Sequence, residues 1–179
     1  MKELSLHILD IAQNSFSAGA SKVEITLADK GNLRSLTICD NGRGMGAEFL
    51  AQVTDPFTTT RTTRKVGMGL PLLRLAAEQT GGSLHIQSTP NVGTALTMRL
   101  FLDHMDCPPL GDMADTVPLL VQGAPAVRLI YRRQVGETGY TFDTREIQTI
   151  LGEDISLAEP DIVFWMTRYL NELEEELKP

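Results

Sequence analysis

A chain of 179 residues, 42% hydrophobic and 22% charged, holds one domain with a real core or a small domain with an appendage, and no apolar run in it approaches a membrane span. A net charge of -7 argues against general nucleic-acid binding. Two cysteines, Cys39 and Cys107, make neither a disulfide framework nor a metal cluster, and no basic-then-apolar leader sits at Met1-Lys2-Glu3, so a reduced, cytoplasmic setting is expected.

Residues 3–17 predict a helix, with Leu4, Ile8, Ile11, Ala12 and Phe16 at helical spacing and Gly19 as its stop. Asp10 and Asn14 are four apart and share a face, as an exposed polar stripe or as part of a site. Lys22 to Asp29 alternates through Val23, Ile25 and Leu27, and Gly31-Asn32 turns the chain into a second strand, Leu33 to Cys39. That strand delivers Asp40 to the head of Asp40-Asn41-Gly42-Arg43-Gly44-Met45. A carboxylate followed by two glycines one residue apart makes either a plain turn or a place where backbone passes beneath a flat ligand.

A short helix from Gly46 to Val53 is broken by Asp55-Pro56. Thr58 to Val66, with five threonines and Arg61, Arg64 and Lys65, has no periodicity and predicts a loop. Its composition suits phosphate oxygens and equally a solvated surface. Gly67-Met68-Gly69 leads into a helix from Leu70 to Thr80, whose N-terminal amides would favour an anion. Gly81-Gly82 ends it, and strands Ser83 to Ser88 and Thr94 to Leu102 flank the turn Pro90-Asn91-Val92-Gly93. Elements in this order predict an α+β fold, a two-layer sandwich with helices on one face of a mostly antiparallel sheet.

Charge changes after Leu102. Residues 1–102 hold 10 Lys/Arg against 8 Asp/Glu, and residues 103–179 hold 6 against 15. The stretch 103–126, with Pro108, Pro109, Pro118 and Pro125, predicts a linker, and 127–179 a small acidic α+β tail. Within the tail a hairpin is expected at Val127 to Arg133 and Tyr140 to Phe142, then a helix opened by Asp143 and Glu146 and closed by Gly152. Pro160 opens a last helix, with Val163, Met166, Leu170, Leu173 and Leu177 facing the tail's own hairpin and Trp165 anchoring the tail's core.

Asp10 and Asn14, then Asp40-x-Gly42-x-Gly44, then Gly67-x-Gly69, then Gly93-Thr94 resemble, in order and spacing, the four boxes of the GHKL ATPase superfamily. That group contains type II topoisomerase ATPase domains, Hsp90, sensor histidine kinases and MutL. The stretch Gln13 to Ala20 is similar to the MutL type, while Asp55 to Thr94 is similar to nitrogen-type sensor histidine kinases, and the second stretch is the longer. The resemblance covers about residues 1–102 and implies a Bergerat-type ATP-binding fold with ATP and Mg²⁺ as its cofactors.

It implies that Asp40 accepts the exocyclic amine of adenine, that Gly42, Gly44 and Met45 form the loop under the base, and that Thr94 backs the amine contact. It implies Asn14 as the Mg²⁺ ligand through its carbonyl oxygen. Gly67, Met68, Gly69 and Leu70 would hold the phosphates with Arg61, Arg64 and Lys65 on a lid, and Asp10 would be the catalytic carboxylate. Two positions depart from the pattern: relatives that hydrolyse ATP carry Glu at Asp10, and Lys65 stands where kinases open the second glycine box with Gly. Sensor kinases carry the phosphorylated His on a helical hairpin ahead of this domain; no such hairpin is expected here, and His7, His85 and His104 are expected to be structural.

The expectation is an ATP/Mg-binding, histidine-kinase-like protein that phosphorylates or regulates a partner protein in trans through residues 103–179. A slow ATPase or nucleotide-gated switch, and an anti-sigma-like binding protein, are the alternatives. A homodimer is allowed; nucleic acid and membrane are not expected partners.

Overall fold

The alternating segments pair as hairpins. β1 (Lys22–Lys30) and β2 (Leu33–Asp40) run antiparallel with Leu27 opposite Leu36, Ile25 opposite Ile38 and Val23 opposite Asp40. Gly31 makes the turn at φ 61°, a left-handed conformation that glycine adopts without penalty. β3 (Ser83–Thr89) and β4 (Gly93–Phe101) form a second antiparallel hairpin, and β4 pairs with β2 so that Leu96 lies opposite Ile38 and Thr94 opposite Asp40. The computed structural model describes residues 3–55 and 69–178.

Helix α1 (Leu4–Ser17) presses Leu4, Ile8, Ile11 and Ala12 onto one face of this sheet, all buried, as its helical spacing predicts. α2 (Ala47–Thr54) and α3 (Gly69–Gln79) follow β2, and α3 buries Leu70, Leu73, Ala76 and Ala77. Because side chains alternate along a strand, the face that receives these helices carries Val23, Ile25, Leu27, Leu36, Ile38, Leu96 and Met98. The other face is lined by Thr26, Thr37 and Thr97 in register, all half-buried. The two-layer α+β sandwich is therefore observed.

The second half of the chain departs from expectation in four ways. Residues 103–126, read as linker, contain α4 (Met113–Gly123), whose Met113, Val117, Leu120 and Val121 are buried at spacings of 4, 3 and 1. Asp112 caps it, its side chain accepting from the Asp115 amide at 2.9 Å. Pro118 removes one helical hydrogen-bond donor, and the buried apolar side chains offset that loss.

The hairpin of β5 (Arg128–Val135) and β6 (Thr138–Asp143) is present, but it is not a separate unit. β5 pairs parallel with β1, Ile25 opposite Tyr131, and extends one six-stranded sheet in the order β3-β4-β2-β1-β5-β6. Leu129, Tyr131 and Phe142 join the same buried cluster as Leu4 and Ile25.

α5 (Thr144–Leu151) opens at Asp143, whose side chain accepts from the Arg145 amide at 3.0 Å, and Gly152 closes it. α6 (Pro160–Leu177) buries Met166 and Leu170, yet packs chiefly on α4 rather than on the hairpin. Trp165 does not anchor a core. It is half-exposed and stacks on Tyr169 with ring centroids 5.3 Å apart.

An ionic cluster ties the halves together. Asp29 accepts from Arg34 at 2.6 and 2.7 Å and from Arg133 at 2.9 Å, joining β1, β2 and β5. Tyr140 donates to Glu174 of α6 at 2.6 Å beside it.

Candidate functional site

The end of β2 opens into a cavity of about 670 Å³ between α1, the loop after β2 and the sheet. Its floor is Ile38, Ile86, Thr94 and Leu96, its α1 wall carries Ile11, Asn14, Ser15 and Ala18, and its far wall carries Gly44, Met45, Phe49 and Leu70. The lining is mostly apolar with few polar groups, the usual make-up of a small-molecule site. Arg43 stands at the lining as an exposed cation.

Asp40 is the last residue of β2 and shares the helix-covered face with Ile38. Its carboxylate is held on both oxygens: Ser15 Oγ donates to Oδ2 at 2.6 Å and the Gly42 amide donates to Oδ1 at 2.9 Å. A carboxylate offers about four lone-pair positions, so two remain for a donor in the cavity.

The loop from Asn41 to Met45 is fixed along its length. Asn41 Oδ1 accepts from the Ser21 and Lys22 amides at 2.9 and 3.0 Å, and the Arg43 amide donates to the Ala18 carbonyl at 2.9 Å. Gly44 sits at φ 69°, and a Cβ there would run into the Thr89 carbonyl. Gly93, at φ 143°, has no room either, because a Cβ would meet the Asp40 carbonyl. These two glycines let the loop and the β3–β4 turn close on the end of β2.

Ser88 joins the site from β3. It accepts from the Met45 amide at 2.8 Å and lies 2.8 Å from Thr94 Oγ1. Asp40, Thr94 and Ser88 thus stand side by side on three adjacent strands.

Of the residues expected from sequence, Asn14, Asp40, Gly44, Met45, Leu70 and Thr94 meet in this cavity. Gly42 adjoins it, where a Cβ would stand 3.0 Å from Ala18. Asp10 is half-buried one turn before Asn14 and does not line the cavity; its Cβ lies 3.5 Å from where a Gly69 side chain would begin. Gly69 starts α3. Arg61, Arg64, Lys65, Gly67 and Met68 lie outside the described residues. Among those described, no group of three or more His, Cys, Asp or Glu side chains forms a metal centre; Asn14, Asp40, Ser15 and Thr94 are among the oxygen-bearing side chains of the lining.

Sequence reasoning missed Ser15 and Ser88. The register of the β3–β4 hairpin, with its turn at Pro90 to Gly93, is the signal that sets Ser88 beside Thr94. Cys39, adjacent to Asp40 in sequence, faces the opposite side of the strand. Burial, with the Glu24 and Asp40 carboxylates nearby, pushes its thiol up, away from a reactive thiolate.

Residues 1–104 match the family model described as histidine kinase-, DNA gyrase B-, and HSP90-like ATPase. Sensor kinase CckA of Brucella abortus is 26% identical over 176 residues, 84% of this chain and 18% of that protein. Sporulation kinase D of Bacillus subtilis is 30% identical over 95 residues, 52% of this chain and 19% of that protein. Among solved structures, the catalytic domain of histidine kinase ThkA is similar at 22% identity and a TM-score of 0.42, covering 54% of this chain and 64% of that one. The chain spans less than a fifth of the length of these two curated relatives. The family match takes in more than half of the chain, which therefore belongs to the histidine kinase-, DNA gyrase B- and HSP90-like ATPase family.

Proposed function

We propose that the cavity binds adenine nucleotide and that the protein is a histidine-kinase-like module acting on a partner protein in trans. The observation that carries this reading is the doubly held carboxylate of Asp40 at the end of an apolar cavity. An acceptor fixed there suits an exocyclic amine, while Ile38, Ile86 and Leu96 suit the faces of a flat base. Gly44 gives the base backbone to lie against, and Thr94 backs the amine contact.

The phosphates then run toward the start of α3, where Gly69 and Leu70 present a helix N-terminus. Gly67, Met68 and the cations Arg61, Arg64 and Lys65 belong to this end by sequence. Asn14 would hold Mg²⁺ through its side-chain oxygen; the metal supplies charge neutralisation on the phosphate oxygens. In-line phosphoryl transfer needs positioning and charge more than covalent help from the protein, and these residues supply both.

A slow ATPase, or a switch read out by nucleotide state, is the second reading. The place of Asp10 beside Gly69, at the phosphate end, favours it. Asp is one methylene shorter than the Glu of hydrolysing relatives, which disfavours it in turn. Two free thiols and the lack, among described residues, of any helix long and apolar enough to cross a membrane accord with work in the cytoplasm.

Titration calorimetry with ATP and ADP tests the site: Asp40→Asn should weaken both by roughly tenfold to a hundredfold, the loss of a charge-assisted hydrogen bond. Unchanged affinity overturns the assignment. Labelled ATP separates the activities. Label on a second protein supports transfer in trans, and free phosphate alone, lost in Asp10→Asn, supports hydrolysis.

A further inference from the structure

Ser88 lies within hydrogen-bonding distance of three groups at once: the Met45 amide at 2.8 Å, the Thr94 hydroxyl at 2.8 Å and the Gly93 carbonyl at 3.2 Å. A serine hydroxyl has one proton and two lone pairs. The Met45 amide can only donate, so it occupies one lone pair. The Gly93 carbonyl can only accept, so it takes the proton. The second lone pair is all that remains for Thr94, and Thr94 must be the donor. Reversing the Ser88–Thr94 bond would leave the Gly93 contact without a proton, so only one arrangement satisfies all three.

This assignment decides what Thr94 shows the cavity. Its single proton is turned toward Ser88, and only oxygen lone pairs are left on the cavity side. Beside it on β2, Asp40 is an acceptor already filled on two sides by Ser15 and Gly42. The Asp40–Thr94 end of the cavity therefore presents acceptors and no hydroxyl proton.

We propose that Ser88 is a specificity-determining positioning residue: by holding the Thr94 proton it makes this end of the cavity select a base with an exocyclic amine over one with a carbonyl at the same place. A carbonyl oxygen there would face a carboxylate and a lone pair with no proton between them. Its hydrogen bond to water would be lost and not replaced. The inference rests on the nucleotide reading above and adds to it the residue that sets the hydrogen-bond polarity.

The test compares ATP with inosine triphosphate, which carries a carbonyl where ATP carries its amine, both with Mg²⁺, by calorimetry on the full chain. The wild-type protein should prefer ATP, and Ser88→Ala should cut that preference about tenfold, because the freed Thr94 proton can then serve the carbonyl. Loss of the Met45 contact in the same variant weakens both nucleotides alike and leaves the ratio alone. Ser88→Thr keeps a hydroxyl and should keep the preference. Ser88→Cys, close to serine in shape but a weak acceptor, should lose it, and serves where the alanine variant does not fold. In a Thr94→Val background, Ser88→Ala should leave the ratio where Thr94→Val alone puts it, since the effect passes through Thr94. A preference unchanged in both Ser88→Ala and Ser88→Cys overturns this role for Ser88 while the nucleotide site stands. Failure of the wild-type protein to bind either nucleotide overturns the nucleotide reading itself.

Discussion

Gly44 shows how narrowly single residues set the site. Its φ of 69° and the Thr89 carbonyl behind it exclude any side chain, and the next residue, Met45, carries the amide that Ser88 receives. Gly44→Ala must move the loop by bond-length distances and add roughly 1–2 kcal/mol of left-handed strain. We expect at least a tenfold loss of nucleotide affinity from a chain that still folds; circular dichroism checks the fold and calorimetry the binding. An alanine variant with wild-type affinity would mean that the loop does not contact the ligand. Asp40, Gly42 and Gly44 by themselves read as a turn as readily as a site; they were legible only together with Asn14, Gly67-x-Gly69 and Gly93-Thr94, whose order and spacing carry the resemblance. Ser15 and Ser88 were not, because a serine acquires a role only from the atoms that folding sets beside it.

Helix α4 is the element where local signals mislead. Four prolines and scattered acids in residues 103–126 look like linker, yet Met113, Val117, Leu120 and Val121 turn one apolar stripe inward. That stripe packs between α1 and α6, so burial overrides the poor helix propensity of Pro118. Leu120 is 1% exposed, and Leu120→Ala should cost about 2–5 kcal/mol of stability, read from the midpoint of a denaturant titration. A loss under about 0.5 kcal/mol, typical of an exposed site, would place α4 outside the core. In α6 the 3-and-4 spacing was legible, but not the partner. Periodicity tells which face is buried and never against what.

At the scale of the molecule, the parallel pairing of β5 with β1 and the Asp29 cluster make one unit of two halves that differ in charge. Burial alone would raise the Asp29 carboxyl, but the hydrogen bonds from Arg34 and Arg133 outweigh it and hold the group below its ordinary value. Asp143 is likewise lowered, chiefly by Arg128. A carboxyl depressed in the folded state stabilises the fold above its unfolded pKa of about 3.9, and that contribution disappears as pH falls through the folded value. Thermal melts should thus show Tm insensitive to these groups from pH 5 to 8 and falling below about pH 4. Asp29→Ala, which takes the carboxylate from two buried guanidinium groups and leaves Arg133 only the Gln134 and Leu27 carbonyls and Glu174, should cost about 3–5 kcal/mol at neutral pH and flatten the acid limb. An acid limb of undiminished slope in that variant would show that other carboxylates drive the acid transition.

The sequence by itself determined the family, through its resemblance, the order of the described elements up to residue 102, and the residues at the head of the cavity. The elements are written in local chemistry, alternation for strands and 3.6-residue spacing for helices, and the family in the order and spacing of four short motifs. Only the tertiary structure decided that the acidic second half completes the same sheet and core. It also decided that Ser15 meets Asp40 and that Ser88 stands beside Thr94. Strand order and cross-strand register join residues far apart in the chain: Ile25 meets Tyr131, and Asp40 meets Thr94. Such contacts form between surfaces, and a one-dimensional pattern states which surfaces exist without stating which of them meet.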